Sequence, residues 1–311
     1  MENLKTTTDA LRSKFIDPTY DRGFQLLMMN PECPELMLEF LRAMIPERDI
    51  ASIEFRPTDS VPDREEDKRK LYDIYCTDAD GNIFIVEMQR EPYRSYGDRL
   101  VVYAGNPATR LLRKGEAYDK VRALYIISIL RGYLQVEGEQ KSDRQKLVRR
   151  AVLKMDDSEK ILSQKINYLF LQLPAAKPIG KESTFLEQWA WHLGNIGKAE
   201  EIPEGLSGYF RMMYEHCCRE NIESGKLKEY DDMVRDEITI EAEKRFAIEE
   251  AVEEALARGN AEGRAEGKAE GEAKGREEER LATARKMKSK DIPISTIVEI
   301  TGLTAEQVES L

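Results

Sequence analysis

Histidine, cysteine and tryptophan are scarce in this chain, with two histidines, four cysteines and two tryptophans in 311 residues. Two histidines cannot supply a Cys/His zinc pattern, and Cys33, Cys76, Cys217 and Cys218 follow no disulfide framework. His216, Cys217 and Cys218 stand together, but no second histidine lies near them in sequence, so they read as structural residues. Long apolar runs are missing too. Leu124 to Leu130 is far too short to cross a bilayer, and the opening stretch MENLKTTTDALRSKF holds no apolar core of a signal peptide. The expectation is a soluble, cytoplasmic protein with no membrane partner. Positive charge is also in deficit: 48 Lys and Arg against 59 Asp and Glu give −11. This argues against coating nucleic acid through bulk charge, so any such contact has to be a local patch.

What is present is an ordered series of patterned segments. From Phe15 to Ile50, GFQLLMM and PELMLEFLRAMI carry apolar residues at helical spacing, and Pro31 and Pro34 split them into two helices. Ser52 to Phe55 reads as a short strand, and VPDREEDKRK, Val61 to Lys70, as a charged loop or disordered link. LYDIYCT and IFIVEMQ are β-rich runs flanking DADGN, which predicts a hairpin. Tyr96 to Leu112 reads as a helix that Pro107 could kink, and Lys120 to Leu130 as a buried strand. The predicted order is α, β, β, β, α, β. INYLFLQL adds a strand, and a helical region follows around Trp189 and Trp191.

A charged helix is predicted from about Tyr230 to Arg258, passing into a repeat with Gly259, Gly263, Gly267, Gly271 and Gly275 four apart. Each glycine costs a helix about 1 kcal/mol relative to alanine, which makes an isolated helix marginal there. Two readings stay open: a solvated linker grown by repeat expansion, and an oligomerising stalk rescued by a partner helix. The last segment reads as a small helix-turn-helix pair, with Ile292, Ile297, Ile300 and Leu303 apolar and Gly302 at the turn.

Chemistry concentrates in the hairpin. If it is centred on Asp80, Asp73 lies opposite Glu87, and directly paired positions have Cβ atoms roughly 4.5–5.5 Å apart. Gln89 follows Glu87 by two and shares its face, whereas Phe84, Val86 and Met88 point the other way. Two facing carboxylates repel unless a cation or a basic neighbour compensates. Spacing alone therefore leaves a metal site and a strand face neutralised by Arg90 or Arg99 both open. Arg90, Arg94, Arg99, Arg110, Arg113 and Lys114 gather just beyond the hairpin, where a phosphate backbone would need them. Lys141, Arg144, Lys146, Arg149 and Arg150 form a second cluster, for which the face of a charged helix is the plainer reading.

Four blocks carry a resemblance: DPTYDRGFQLLM at Asp17 to Met28, YDIYCTDADGNIFIVEMQ at Tyr72 to Gln89, DRLVVYA at Asp98 to Ala104, and KGEAYDKVRALYIISIL at Lys114 to Leu130. Together they resemble the PD-(D/E)XK nuclease family transposases, also called Rpn-type recombination-promoting nucleases; the C-terminal tail is similar to tails common there. The resemblance implies an α/β, restriction-endonuclease-like core with a mixed central sheet flanked by helices, plus a long C-terminal helical tail. It also implies DNA as partner, Mg2+ as cofactor, and Asp73, Glu87 and Gln89 as catalytic residues. Asp73, Glu87 and Asp21 would hold the metal, and Gln89 stands where many relatives carry lysine. Arg99 and Tyr103 match an Arg/Tyr pair of the family and, with Arg90 and Arg94, are candidates for DNA contact. Gln25 departs from the Gly-Phe-Lys sequence common in the first helix, which removes a phosphate-facing cation.

The expected organisation is a nuclease core over 1–135, an accessory α/β segment over 136–228, a long helix and glycine-repeat stalk over 229–280, and a small helical module over 281–311. The expected function is Mg-dependent DNA cleavage of low sequence specificity, linked to recombination or mobile elements. Two alternatives stand beside it: a DNA-binding protein of the same fold without turnover, and an interaction protein that forms homo-oligomers through its tail.

Overall fold

The computed structural model describes residues 11–30, 33–57, 59–60, 70–90, 95–206 and 208–311. Almost all of the charged run at 61–70, and Arg94, lie outside them. The chain forms two compact units, Met1–Ile238 and Thr239–Leu311.

In the first unit the predicted entry helices are α1 (Asp21–Met28) and α2 (Glu35–Met44). A six-stranded sheet has the order β1-β4-β5-β6-β8-β7, with β1 (Ile53–Phe55), β4 (Ile74–Asp78), β5 (Ile83–Gln89), β6 (Leu124–Leu130), β7 (Val148–Lys154) and β8 (Ile161–Gln172). A two-stranded ribbon pairs β2 (Asp59–Ser60) with β3 (Lys70–Leu71). The sheet is mixed: β1, β4 and β5 run antiparallel, β5, β6 and β8 parallel, and β7 antiparallel to β8. The parallel step from β5 to β6 crosses over through α3 (Tyr96–Thr109). All seven residues of β6 are buried, as expected of a parallel strand covered on both faces.

Alternation along β5 divides the core in two. Phe84, Val86 and Met88 join Ile127, Ile129 and a thick helical layer of α1, α2, α5 (Phe185–Asn195), α6 (Gly208–Cys217) and the start of α7 (Ser224–Lys288). Trp189 is fully buried there, edge-on to Phe40 at 5.6 Å between centroids. Ile83 and Ile85 face Leu100, Tyr103 and Ala104 of α3. A strand with apolar residues on both faces needs both layers, and burial of each large side chain stabilises the fold by about 1.5–3 kcal/mol.

The second basic cluster does not form a helix face. Lys141 and Arg144 lie on a four-residue helix, α4 (Lys141–Arg144), whereas Arg149 and Arg150 lie on β7. They are also spoken for, since Arg149 pairs with Glu139 at 2.6 Å and Arg150 with Glu47. As the edge strand of the sheet, β7 is exposed over much of its length, so it tolerates the charges that gave the segment a helical look.

The α7 helix is continuous over 65 residues, glycine repeat included. A Cβ added at Gly259, Gly263, Gly267, Gly271 or Gly275 would meet nothing within 4 Å. Their cost is therefore the intrinsic one. Replacing Gly267 by Ala should stabilise the helix locally by about 0.5–1 kcal/mol, which hydrogen exchange would read as roughly two- to fivefold slower opening of the neighbouring amides. In the second unit, Ala284 of α7 packs with Ile297 of α8 (Ile294–Thr301), Leu303, and Val308 of α9 (Ala305–Glu309). Gly302 takes the left-handed conformation, φ 67°, between these two short helices, while Ile300 is exposed rather than part of this small core.

Candidate functional site

The hairpin turn sets the geometry of the site. Gly81, at φ 79°, lets its N–H donate to the Asp78 carbonyl at 3.0 Å, and the Asp78 carboxylate accepts from the Asn82 N–H and amide at 2.8 Å each. Asn82 in turn accepts from the Ala123 N–H at 2.9 Å, tying the turn to β6. This fixes Ile74 opposite Val86 and Cys76 opposite Phe84, the register the sequence predicts. One residue before β4, Asp73 comes to lie beside Glu87. The Asp73 N–H donates to Glu87 Oε1 at 3.3 Å, and the Met88 N–H donates to Asp73 Oδ2 at 2.7 Å.

Asp21 arrives from another layer, in the first turn of α1. Its approach depends on Asp17, whose side chain accepts from the N–H and hydroxyl of Thr19 and whose own N–H donates to the Tyr230 hydroxyl at 2.9 Å. Gly23 is required here, because a Cβ would sit 2.4 Å from the Asp17 carbonyl oxygen. Arg131 lies 3.6 Å from the Asp17 carboxylate.

Asp21, Asp73, Glu87, Met88, Gln89, Arg90, Arg99 and Glu237 together line one pocket of about 290 Å³. The sequence places six of these eight at the site. Met88 it assigns to the core, and Glu237 it misses, since that residue lies about 150 positions further along the chain, on α7. Tyr103 stands behind Arg99: its hydroxyl accepts from Arg99 Nε at 2.7 Å while its ring packs edge-on against Tyr72. Its place is thus to hold the arginine rather than to line the pocket. Arg94 falls outside the described residues.

Glu87 is only 5% exposed. Burial first, and then the charge of Asp73, push its carboxyl pKa well above the usual carboxylate range, against the pull of Arg99. Asp73 is raised as well, by burial and by Asp21, again opposed by Arg99. Asp21 moves in the same direction through burial, with Arg99 and Arg90 opposing. Four carboxylates thus share a small space with two arginines, and the acidic excess is held at an energetic cost.

Such a set suits a hard divalent cation. Every candidate ligand is an oxygen, with no thiolate or imidazole beside them, the donor type that hard divalent cations take. Among the described residues, no group of three or more histidine, cysteine, aspartate and glutamate side chains is placed so that it could hold a metal ion.

Two other cavities flank this picture. A groove of about 750 Å³ has Asp73 on its wall and includes Arg22, Gln25, Asn30 and Lys226. The Arg22 guanidinium donates to Gln25 Oε1 at 3.3 Å and is ion-paired with Glu229. A cavity of about 840 Å³, with Tyr125 and residues of β7 and the first part of β8 on its walls, lies toward the opposite end of the parallel strands.

A family model described as PD-(D/E)XK nuclease family transposase matches residues 18–240. The chain belongs to that family. The matched span takes in the whole sheet, both entry helices, Asp21, Asp73, Glu87, Gln89 and Glu237, and the mixed sheet flanked by helices is consistent with the PD-(D/E)XK fold. No curated protein and no solved structure matches the chain. Among the described residues, no helix of this PD-(D/E)XK family member is long and apolar enough to cross a membrane.

Proposed function

We propose that this PD-(D/E)XK family member is a Mg2+-dependent DNA endonuclease of low sequence specificity, acting in the cytoplasm in recombination or the turnover of mobile DNA. The observation that carries the reading is the meeting, in one pocket, of Asp21, Asp73, Glu87 and Gln89 with Arg90 and Arg99 on its walls. Asp73 and Glu87 would hold the cation, with Asp21 as a further ligand. When bound, the cation supplies Lewis acidity at the phosphate and makes water a better nucleophile near neutral pH.

The protein's own groups divide the remaining work. The Gln89 amide can orient the attacking water or a phosphate oxygen through hydrogen bonds, but it carries no charge. Arg99, held by Tyr103, offers a fixed guanidinium to the phosphodiester. A reducing cytoplasm fits the four buried, free cysteines.

Supercoiled plasmid incubated with the purified full chain and Mg2+ tests the proposal: nicking that requires the metal supports it, and intact plasmid at high enzyme concentration counts against it. In the same assay, replacing Gln89 by Ala should lower the rate by roughly 10²-fold, as for loss of one preorganised hydrogen-bond donor, with plasmid affinity nearly unchanged. Equal losses in rate and affinity would instead give Gln89 a binding role.

A second reading concerns the tail. Ile240, Phe246, Ile248, Val252 and Leu256 are exposed on α7, which supports contact with a second copy of the chain. Sedimentation of the full chain against a version ending at Ile238, which lacks all five of these residues, distinguishes a self-associating tail, whose loss reduces the mass of the assembly to that of a single chain, from a solvated one.

A further inference from the structure

We propose that Glu237 is a positioning residue that controls Arg90: its carboxylate stands where a DNA phosphate would bind and must give up the arginine before the phosphodiester can be gripped. The inference rests on the nuclease reading and concerns a residue from outside the hairpin.

Arg90 follows Gln89 in the wall of the pocket. Its guanidinium carbon lies 3.8 Å from the centroid of the Tyr20 ring, and its side chain is 14% exposed. Stacking on a ring fixes the plane of the guanidinium and leaves its N–H edge as the binding surface. That edge faces Glu237, whose carboxylate lies 3.6 Å from Arg90 Nε and is 33% exposed. Both residues line the pocket that holds Asp73 and Glu87. The guanidinium fork donates to carboxylate and phosphate oxygens in the same geometry, so the two anions compete for one cation and repel each other. Glu237 thereby keeps nucleic-acid affinity low until contacts elsewhere, Arg99 among them, add to the pull on the strand.

The test is equilibrium binding of a labelled DNA duplex in EDTA, at several salt concentrations, for the full chain and for its Glu237→Gln, Arg90→Ala and combined variants. Glu237→Gln keeps the shape and removes the charge. It should tighten binding by about three- to tenfold and steepen the slope of log affinity against log salt by about one, because one more phosphate contact becomes available. In the Arg90→Ala background the same substitution should have no such effect. Unchanged binding with a lowered melting temperature would make Glu237 a structural tie between α7 and β5 and overturn the proposal. A gain that persists without Arg90 would overturn it as well, pointing to net charge alone. If neither parent nor variants bind DNA at low salt, the nuclease reading itself falls, and this inference with it.

Discussion

Replacing Asp73 and Glu87 together by alanine is expected to lower the proposed Mg2+-dependent plasmid nicking by at least about 10²–10³-fold, the scale on which loss of preorganised charge stabilisation is felt in active sites. The two side chains are adjacent ligands in the proposed site, so each single variant should already produce most of the loss, and the effects should not add. Alanine also strips acceptors from the Met88 and Asp73 N–H groups, which the Asp73 and Glu87 carboxylates satisfy. Asp73→Asn with Glu87→Gln is the cleaner pair, because both amides keep an oxygen in place for those N–H groups while removing the charge. The expected pattern is equal loss of nicking in both double variants, with DNA binding in EDTA retained or improved, since two negative charges leave the path of the phosphate. Nicking that survives in the Asn/Gln pair would place the catalytic centre elsewhere. Binding without nicking in the parent would favour the reading of a DNA-binding protein that keeps the fold without turnover.

The hairpin was legible because its signals are local. Asp78, Gly81 and Asn82 fix the turn within five residues, and a period of two carries that register to Asp73 and Glu87. The entry helices and β6 were legible for the same reason, as each has a full apolar face within one short window. The edge strand β7 was not, because VRRAVLK has one neighbouring strand and solvent on its other edge, and so lacks the burial that produces a clear alternation. The long helical tail was legible too, but spacing left open whether the glycine repeat continued it or formed a solvated linker, because glycine argues locally for a break and continuity comes from the alanines and charged residues between, with pairs such as Lys268 and Glu272. Glu237 lay beyond any local signal. Nothing in the acidic and basic run around it separates the carboxylate that meets Arg90 from its solvated neighbours. Asp17 belongs to one of the matching blocks, yet its ties to Tyr230 and Arg131 depend on residues more than 100 positions away.

In EDTA the first unit should lose stability as pH rises from about 4, the ordinary carboxylate range, through neutrality, and Mg2+ should restore it most strongly at the alkaline end. The sign follows from the raised pKa values of Asp73 and Glu87. Between the unfolded and folded values the native chain holds more protons than the unfolded one, so stability falls with pH across that window, opposite to the behaviour of a salt-bridged carboxylate. Below it both states are protonated and the two groups leave no slope. For groups this deeply buried the loss is on the order of 2–3 kcal/mol, which corresponds to a drop of roughly 5–10 °C in melting temperature for a unit of this size. A cation that binds only the folded, deprotonated site offsets it by about 2.7 kcal/mol at 100 times its dissociation constant. The comparison that isolates the site is again Asp73→Asn with Glu87→Gln, whose melting curves should show neither this alkaline decline nor the rescue by Mg2+. Parallel pH profiles for parent and variant would show that the decline arises elsewhere in the chain. A parent whose decline Mg2+ leaves untouched would show that these carboxylates are neutralised by Arg99 and Arg90 and are not built to hold a cation.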